Sequence, residues 1–353
     1  MRILVTGGAG FVGATLALAF KAEHPDATVT ALDNLRRRGS ELGLGRLREG
    51  KVAFLHGDIR NPDDIRAAGA FDLLVECSAE PSAHAGYDGS AAYVIDTNLV
   101  GTVNCLEAAR TYRATVLFIS SSRVYPIEGL RGLPLVEADT RLVIKPGAHG
   151  PGWSAAGIAR NFPLDGPRTL YGATKLCSEL LIQEYAAAYG MRAVVNRCGV
   201  LAGPWQMGKV DQGVIVLWAA RHLFGGSLSY LGFGGKGTQV RDVLHVRDLF
   251  DLLRIQVGDI DRHAGKTYNA GGGHERSVSL LELTRHCQSR SGSTVTIGSD
   301  PATRPADVPY YVTDNAEVTA ATGWRPSRSV DTLMDEVFAW LQENRQALVP
   351  ILA

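Results

Sequence analysis

The chain lacks a charge excess, paired cysteines and long apolar runs. Its 36 basic residues balance 36 acidic ones, so no global field favours nucleic acid or an anionic membrane as a partner. The five cysteines are odd in number and form no CxxC pair, which argues against a disulfide framework and a zinc site. No run of 18 apolar residues occurs, and residues 2–6 look like a strand rather than a secretory signal. We expect a cytoplasmic protein without a metal.

What the chain does contain is a series of short apolar runs separated by helical patterns. Strands that are apolar throughout are typical of a parallel sheet covered by helices on both faces, which predicts a doubly wound α/β fold. The predicted strands span 2–6, 28–33, 52–58, 73–77, 115–121 and 193–198.

A change in sequence composition near residue 200 predicts two domains. We expect a nucleotide-binding domain over 1–198 and a smaller, partly interleaved substrate-binding lobe over 199–353, where glycine-rich loops and shorter strands begin. The segment 126–169 is too long for an ordinary connection, so we expect either a functional lid or a disordered insertion. Within the second lobe, Ser279 and Glu282 match a helix capping box.

A glycine motif at 6–13 follows the first strand. Gly7, Gly10 and Gly13 have GxxGxxG spacing, and Phe11 and Val12 open the helix that follows. Glycines there permit a tight turn and let backbone N–H groups approach a pyrophosphate at the helix N-terminus, as in Rossmann folds. A glycine turn between strand and helix is also common as a purely structural feature.

Acidic residues at strand ends support a dinucleotide site. Asp33 ends the second strand, where a carboxylate can bind the adenosine ribose and repel a 2′-phosphate, which favours NAD. The basic run 36–38 is the argument for NADP, although it also suits a solvated loop. Asp58 is expected at the adenine, with a helix N-cap as the alternative. The other residues predicted to bind the cofactor are Asn34, Ile59 and Asn98.

The stretch YGATK at 171–175 begins a helical pattern that Gly190 ends. Tyr171 and Lys175 are four residues apart and share one helix face. An ammonium beside a phenol favours the phenolate, which suits Tyr171 to general acid and base work. YxxxK alone is weak, since surface helices often contain it.

Together these motifs resemble the extended short-chain dehydrogenase/reductase family, in the group that acts on nucleotide sugars. The resemblance extends to QVRDVLHVRDL at 239–249, NAGGG at 269–273 and the stretch at 304–326. It implies NAD as cofactor and Ser121, Tyr171 and Lys175 as catalytic residues, with Tyr171 and Lys175 also at the cofactor. Ser121 is four residues before Tyr125 of the family motif, and the neighbouring serines are expected to be structural.

The residues after Ser121 narrow the implied reaction. The 4,6-dehydratases of this family have an Asp-Glu pair there, whereas this chain has Ser122 and Arg123. The resemblance therefore implies epimerisation, in which a keto sugar receives its hydride back on the opposite face. Local stretches such as HGDIRN at 56–61 are similar to CDP-sugar 2-epimerases. The alternatives are a UDP-sugar 4-epimerase, a simple NAD-dependent dehydrogenase and a non-catalytic scaffold or sensor that binds NAD.

The resemblance also suggests which residues bind the substrate. Arg241 and Arg304 are candidates for the diphosphate, because guanidinium groups bind phosphate oxygens bidentately. Surface ion pairing is the alternative for each of them. Glu80 is either a sugar ligand or part of a salt bridge, and the family commonly forms a homodimer. The remaining predicted substrate residues are Arg123, Gln206, Asp211 and Gln212.

Overall fold

The computed structural model describes residues 1–87, 89–210 and 212–353. The chain divides into two compact units. The first comprises 1–124, 170–197 and 249–268, and the second 125–169, 198–248 and 269–353. These bounds differ from the predicted 1–198 and 199–353. The second unit takes 125–169 from the middle of the chain, so it holds about as many residues as the first rather than fewer.

The strands are short and lie throughout the chain. They are β1 Arg2–Thr6, β2 Thr28–Asp33, β3 Ala53–His56, β4 Leu73–Glu76, β5 Thr115–Ser121, β6 Leu135–Ala138, β7 Arg141–Ile144, β8 Trp153–Ser154, β9 Gly157–Ile158, β10 Ala193–Cys198, β11 Val200–Ala202, β12 Leu228–Leu231, β13 Val240–His245, β14 Thr267–Ala270, β15 Ser277–Ser279, β16 Ile297–Asp300 and β17 Tyr310–Tyr311.

The helices alternate with the strands. They are α1 Phe11–Glu23, α2 Leu44–Glu49, α3 Pro62–Ala67, α4 Ala91–Ile95, α5 Gly101–Tyr112, α6 Ile127–Arg131, α7 Leu170–Tyr189, α8 Val214–Phe224, α9 Val246–Gly258, α10 Ile260–His263, α11 Leu280–Ser291, α12 Ala316–Thr322, α13 Val330–Glu343 and α14 Arg345–Leu352. A π-helical segment, Asp96–Val100, joins α4 to α5. The short 3₁₀ turns are Ser40–Gly43, Ser122–Val124, Phe233–Gly235 and His274–Arg276.

The central sheet has seven strands in the order β14, β10, β5, β4, β1, β2, β3. β1 pairs in parallel with both β2 and β4, so Ile3 lies between Val29 and Leu73. β4 is buried throughout, as a strand covered on both faces must be. The predicted doubly wound fold is therefore confirmed. From β1, the next strands along the chain, β2 and β3, extend the sheet to one side, and β4 and β5 extend it to the other. Ligands in such sheets bind at this switch point between β1 and β4.

The core of the first unit lies between the sheet and helices α5 and α7. Its members are apolar side chains from strand interiors and from the inward faces of these two helices, including Leu4, Leu74, Phe118, Val195, Leu106 and Ile182. Burial of this apolar surface fixes α7 against β5, which sets the positions of the polar residues at the strand end.

Local signals in the sequence set several helix ends. Gly190 follows α7 with φ +65°, and its N–H donates to Ala186 O at 3.0 Å. The predicted capping box is present, because the N–H of Glu282 donates to Ser279 Oγ and Glu282 Oε2 accepts the N–H of Ser279. A left-handed glycine and a capping box end and begin these helices as the sequence predicted.

The segment 126–169 is ordered, so the alternative of a disordered insertion is wrong. It forms α6 and two antiparallel hairpins, β6 with β7 and β8 with β9. The N–H of Leu142 donates to Thr238 O at 2.8 Å, and that of Ile158 donates to Val312 O at 2.7 Å. These hydrogen bonds hold the segment within the second unit. Its role as a lid stays a prediction.

The rest of the second unit is built from small sheets and helices. β13 pairs with β11 in parallel and with β15 in antiparallel fashion, and β17 also pairs with β13. A separate parallel pair joins β12 to β16. None of the helices in the described part of the chain is long and apolar enough to cross a membrane.

Candidate active site

The glycine motif forms a tight turn between β1 and α1. Gly7 has φ +62°, and the N–H of Gly10 donates to Gly7 O at 3.0 Å. A Cβ on Gly13 would lie 2.1 Å from Gly7 O, so only glycine lets α1 pack against the turn. A Cβ on Gly10 would meet only Gly7 O, at 3.2 Å. The protein itself therefore leaves space beside Gly10.

The N-terminus of α1 is suited to an anion. Gly10 caps the helix without a side-chain hydrogen bond, and the first turn has no acidic residue. The first N–H groups of an α-helix have no partner within the helix, and they carry its positive dipole end. Phe11 and Val12 belong to this turn. The turn thus fits the pyrophosphate of a dinucleotide, and the roles of Gly7, Gly10, Phe11, Val12 and Gly13 as individual ligands stay predictions.

Asp33 joins the end of β2 to the glycine turn. Its Oδ2 accepts the N–H of Ala9 at 3.1 Å and its Oδ1 accepts that of Leu35 at 2.8 Å. Burial raises the pKa of Asp33, and these backbone donors oppose that rise. The carboxylate is therefore held in place at the carboxyl edge of the sheet, where the ribose role was predicted.

Asp58 is engaged by its neighbours. Its Oδ2 accepts Asn34 Nδ2 at 2.9 Å and forms a 2.6 Å ion pair with Arg60. The hydrogen bond from Arg60 lowers the pKa of Asp58 to about 2. The N-cap alternative for Asp58 is wrong, because Asn61 caps α3 by accepting the N–H of Asp63. An Asn immediately before Pro62 is better placed for this bond, since proline favours the first helical position.

Ile59, the residue after Asp58, is buried against the start of α5. Ile59 is 3% exposed, and a Cβ on Gly101 would lie 2.6 Å from its Cδ1.

Arg36, from the basic run, places its guanidinium 4.0 Å from the ring centroid of Tyr93. Cation–π contact is thus one structural use of this run, which the sequence had offered as the argument for NADP.

Asn98 holds the loop that follows β4. It lies in the π-helical segment, and its side chain accepts the N–H of Glu80 at 2.7 Å and donates to Glu80 O at 3.1 Å. The Glu80 carboxylate accepts the N–H of Ser82 at 3.2 Å. The amide of Asn98 therefore fixes the shape of this loop, and its direct contact with a cofactor stays a prediction.

The predicted catalytic residues come from β5 and α7. Ser121 ends β5, and its Oγ accepts the N–H of Arg123 at 3.1 Å. Tyr171 and Lys175 lie in the first two turns of α7, four residues apart as predicted. The Nζ of Lys175 lies 4.4 Å from the ring centroid of Phe118 and 3.9 Å from Glu76 Oε2. The catalytic assignment of Ser121, Tyr171 and Lys175 stays a prediction.

Ser120 differs from its neighbour Ser121. Its hydroxyl donates to the carboxylate of Glu179, which also forms a 2.7 Å ion pair with Arg197. Ser120 was expected to be a structural hydroxyl, and its partner is the buried side chain of Glu179. Ser120 points to the buried pair, which leaves Ser121 as the hydroxyl at the strand end.

The two arginines predicted to bind the diphosphate form hydrogen bonds to other residues of the second unit. Arg241 donates to Val240 O and Val308 O. Arg304 forms an ion pair with Asp307 through two hydrogen bonds, at 2.9 and 3.2 Å, which is the arrangement of its structural alternative. Phosphate binding by Arg241 and Arg304 stays a prediction.

The glutamines of this unit differ in burial. Gln206 Nε2 donates to Leu201 O at 2.9 Å, while its buried Oε1 has no hydrogen-bond partner among the described residues. Gln212 exchanges two backbone hydrogen bonds with Lys209. Asp211 lies outside the described residues. An unsatisfied buried amide oxygen is unusual, so Gln206 has spare hydrogen-bonding capacity.

These observations define the class of protein to which the chain belongs. A doubly wound parallel sheet, a glycine turn leading into α1 and an acid at the end of β2 are the parts of a dinucleotide-binding Rossmann protein. The model of the NAD dependent epimerase/dehydratase family matches residues 3–271, and the chain belongs to this family. The predictions of the family and of NAD as its cofactor are confirmed.

Relatives within the family differ in activity. The chain is 28% identical to CDP-paratose 2-epimerase of Salmonella typhi, over 96% of this chain and 99% of that one. It is 30% identical to dTDP-glucose 4,6-dehydratase of an Actinoplanes species, over 98% and 99%. The solved UDP-glucose 4-epimerase of Thermotoga maritima superposes with a TM-score of 0.78 at 21% identity, over 98% and 100%, which shows the fold alone. The names of these relatives therefore cover both epimerases and a dehydratase.

Sequence reasoning missed the acid nearest to Lys175. Glu76 ends β4 and is 1% exposed, whereas the sequence predicts a role for Glu80, four residues later. The available signal was a charged residue at the end of an otherwise apolar run that forms a central strand. Across 1–87, 89–210 and 212–353, no group of three His, Cys, Asp or Glu side chains is placed to hold a metal ion.

Proposed function

We propose that the protein is an NAD-dependent nucleotide-sugar epimerase, with a CDP-sugar inverted at C2 as its substrate. When bound, NAD supplies the acceptor and donor of a hydride. Tyr171 takes the proton of the sugar hydroxyl, and the hydroxyl of Ser121 hydrogen-bonds the same oxygen. The ammonium of Lys175 favours the phenolate form of Tyr171. After the sugar ring presents its other face, the carbon regains the hydride and Tyr171 returns the proton to the keto oxygen, which gives the inverted alcohol.

The observation that carries epimerisation is the absence of an acid next to Ser121. Elimination of water from a sugar needs a group that protonates the departing hydroxyl and a base that removes a proton. In this chain the residues after Ser121 are Ser122 and Arg123, which form a 3₁₀ turn at the strand end. Neither is a carboxylic acid or a carboxylate base. This favours a reaction in which no water leaves, despite the similarity to a 4,6-dehydratase.

The choice of substrate is supported by similarity and by local motifs. The Salmonella typhi relative is named a CDP-paratose 2-epimerase and aligns over nearly the whole of both chains. The diphosphate is assigned to Arg241 and Arg304, and the nucleoside to Gln206, Asp211 and Gln212. Arg123 is assigned to the sugar because it lies two residues after Ser121, in the turn at the strand end. Binding of a diphosphate by Arg304 requires its ion pair with Asp307 to open or to accept a third partner.

Product analysis tests this function. The purified protein is incubated with CDP- and UDP-hexoses and 3,6-dideoxyhexoses in deuterated water, with and without NAD, and products are identified by proton NMR. We expect inversion at C2 of a CDP-sugar with no deuterium gained at that carbon. Inversion at C4 of a UDP-sugar would select the other epimerase. Net formation of NADH would select a simple dehydrogenase, and no turnover with any sugar would favour a non-catalytic NAD-binding protein.

We also propose that the protein is a homodimer through the helical stretches 96–110 and 171–189. Val100, in the π-helical segment, and Leu180, on α7, are large apolar residues that are 43% and 53% exposed, and Ile95, directly before the first stretch, is 37% exposed. Exposed apolar side chains on neighbouring helices suit an interface between copies of a chain. Leu180→Glu is expected to give a monomer in sedimentation experiments. Val210→Glu, at a residue 66% exposed in the second unit, is the matched control and is expected to leave the dimer intact.

A further inference from the structure

A buried acid stands beside the proposed catalytic lysine without a role in the reaction described above. Glu76 is the last residue of β4, and its Oε2 accepts the hydroxyl of Thr102 at 3.4 Å. Its Oε1 is buried and has no hydrogen-bond partner among the residues that the structure describes. Buried carboxylate oxygens are normally satisfied. An unsatisfied oxygen on a carboxylate that faces an ammonium through its other oxygen therefore calls for a functional explanation.

Lys175 is as deeply buried as this acid. Its side chain is 2% exposed, and Glu76 is the carboxylate within 4.0 Å of its Nζ. The separation of 3.9 Å is longer than the 2.7–3.2 Å or so of an N–H···O hydrogen bond. The pair is thus close enough for strong charge interaction in a buried setting, while the three ammonium donors are not committed to the carboxylate.

We propose that Glu76 is a positioning residue whose carboxylate balances the charge of Lys175 and so sets the charge that acts on Tyr171. The inference rests on the proposed roles of Tyr171 and Lys175. Glu76 does not touch the substrate in this account. It acts through Lys175, which shares a helix face with Tyr171 one turn away.

The other groups around Glu76 cannot take this role. Thr102 and Cys105 face it from α5, and the backbone of Ser78 helps to lower the pKa of Glu76. Burial raises the pKa of the Cys105 thiol well above its usual value, so the thiol stays neutral. Burial also raises the pKa of Glu76, and the charge of Lys175 opposes that rise. Lys175 is therefore the facing group whose charge opposes the effect of burial on Glu76.

The first test follows Lys175 directly in protein without NAD. The chain has seven lysines, so labelling at lysine ¹³Cε gives few NMR signals, and Lys175→Arg identifies the one from Lys175. We expect Glu76→Gln to lower the pH midpoint of this signal by about one unit or more, because an opposite charge is removed at close range. Glu76→Asp keeps the charge, and Thr102→Val removes only a hydroxyl. Both are expected to move the midpoint much less.

The second test is the pH profile of kcat in the same variants. Loss of a negative charge favours the deprotonated form of neighbouring groups, so the profile of Glu76→Gln is expected to move to lower pH. A purely structural role would lower kcat at every pH and leave the profile in place. An unmoved profile together with an unmoved Lys175 midpoint would overturn the proposal, because Glu76 would then hold its proton throughout.

Two further outcomes remain decisive. If Glu76→Gln does not fold, the ¹³C carboxyl signal of Glu76 in the wild-type protein is titrated, with Glu76→Asp for assignment. An ionised carboxyl at pH 7 supports the proposal, and a protonated one overturns it. If the wild-type protein turns over none of the sugars, the proposed function fails, while the Lys175 midpoint still reports whether Glu76 balances its charge.

Discussion

Two buried ion pairs meet α7 one helical turn apart, and they are built differently. Glu179 is 2.7 Å from Arg197 Nη2 and also accepts hydrogen bonds from Arg197 Nε and Ser120. Lys175 is 3.9 Å from Glu76, whose second oxygen has no partner among the described residues. The first pair is closed by short hydrogen bonds, and the second is open. A closed pair can only hold the fold together, whereas an open pair leaves a charge available for chemistry.

The difference follows from the number of side chains that reach each acid with short hydrogen bonds. Arg197 comes from β10 and Ser120 from β5, and both side chains reach Glu179. Lys175 lies one turn nearer the start of α7, at the strand ends, beside Phe118 and the last residue of β4. Ligands of parallel sheets bind at these ends. The open pair is therefore at the edge where the proposed reaction takes place.

The largest effect is expected from removing the phenol of α7. Tyr171→Phe takes away the general acid and base, and kcat is expected to fall by about 10²–10⁴-fold. NAD binding, measured by titration calorimetry, and the thermal midpoint are expected to change little. Tyr185→Phe is the matched control on the same helix, since the Tyr185 hydroxyl donates to Glu107. Full activity in Tyr171→Phe would contradict the proposed role of Tyr171 as general acid and base.

The closed pair is expected to show itself in stability. Arg197→Met leaves the carboxylate of Glu179 buried without its cation, so the free energy of unfolding is expected to fall by about 3–5 kcal/mol. Urea unfolding measures this loss. Arg2→Met is the control, because it breaks an exposed ion pair with Asp72. Its free energy of unfolding is expected to be close to that of the wild-type protein.

A double variant sharpens the reading of the closed pair. Replacing both partners, as Glu179→Gln with Arg197→Met, leaves no buried charge behind. We expect it to be more stable than Arg197→Met alone, because the penalty comes from the uncompensated charge. Equal instability of the single and double variants would mean that packing, rather than charge, explains the effect. The pH profile of kcat is expected to keep its position in both variants.

A smaller effect is expected at the half-exposed pair of Asp58 and Arg60. The pKa of Asp58 is lowered to about 2, below the value of about 3.9 in an unfolded chain. The stabilisation is therefore complete above about pH 4 and is lost as the pH falls toward 2. Asp58→Asn is expected to flatten this part of the stability curve, measured by acid unfolding with circular dichroism. An unchanged acid limb would show that solvent screens the pair completely.

Much of the fold could be predicted from local patterns. Four of the six expected strands, β1, β2, β5 and β10, have the bounds that their apolar runs indicated. The glycine turn, the end of α7 at Gly190 and the capping box at Ser279 depend on neighbouring residues, which is why the sequence showed them. The spacing of Tyr171 and Lys175 likewise needed only a helix.

What escaped prediction depends on contacts between distant residues. Glu76 and Lys175 are far apart in the chain and meet only because α7 packs on the central sheet. The hairpins within 126–169 have short strands, and they are fixed by partners such as the backbone of Thr238 and the carboxylate of Glu282, which accepts from Arg141. No periodicity within the segment reports such partners. A mixed Gly, Pro and charged composition therefore looked like a lid or a disordered insertion.

The most direct test of the central claim uses a CDP-3,6-dideoxyhexose carrying deuterium at C2. If the open pair serves an epimerase that removes and returns one hydride, NMR and mass spectrometry will show deuterium retained at the inverted C2 in ordinary water. Inversion with loss of deuterium to water would contradict internal return of the hydride. A product that has lost the mass of water would contradict epimerisation itself.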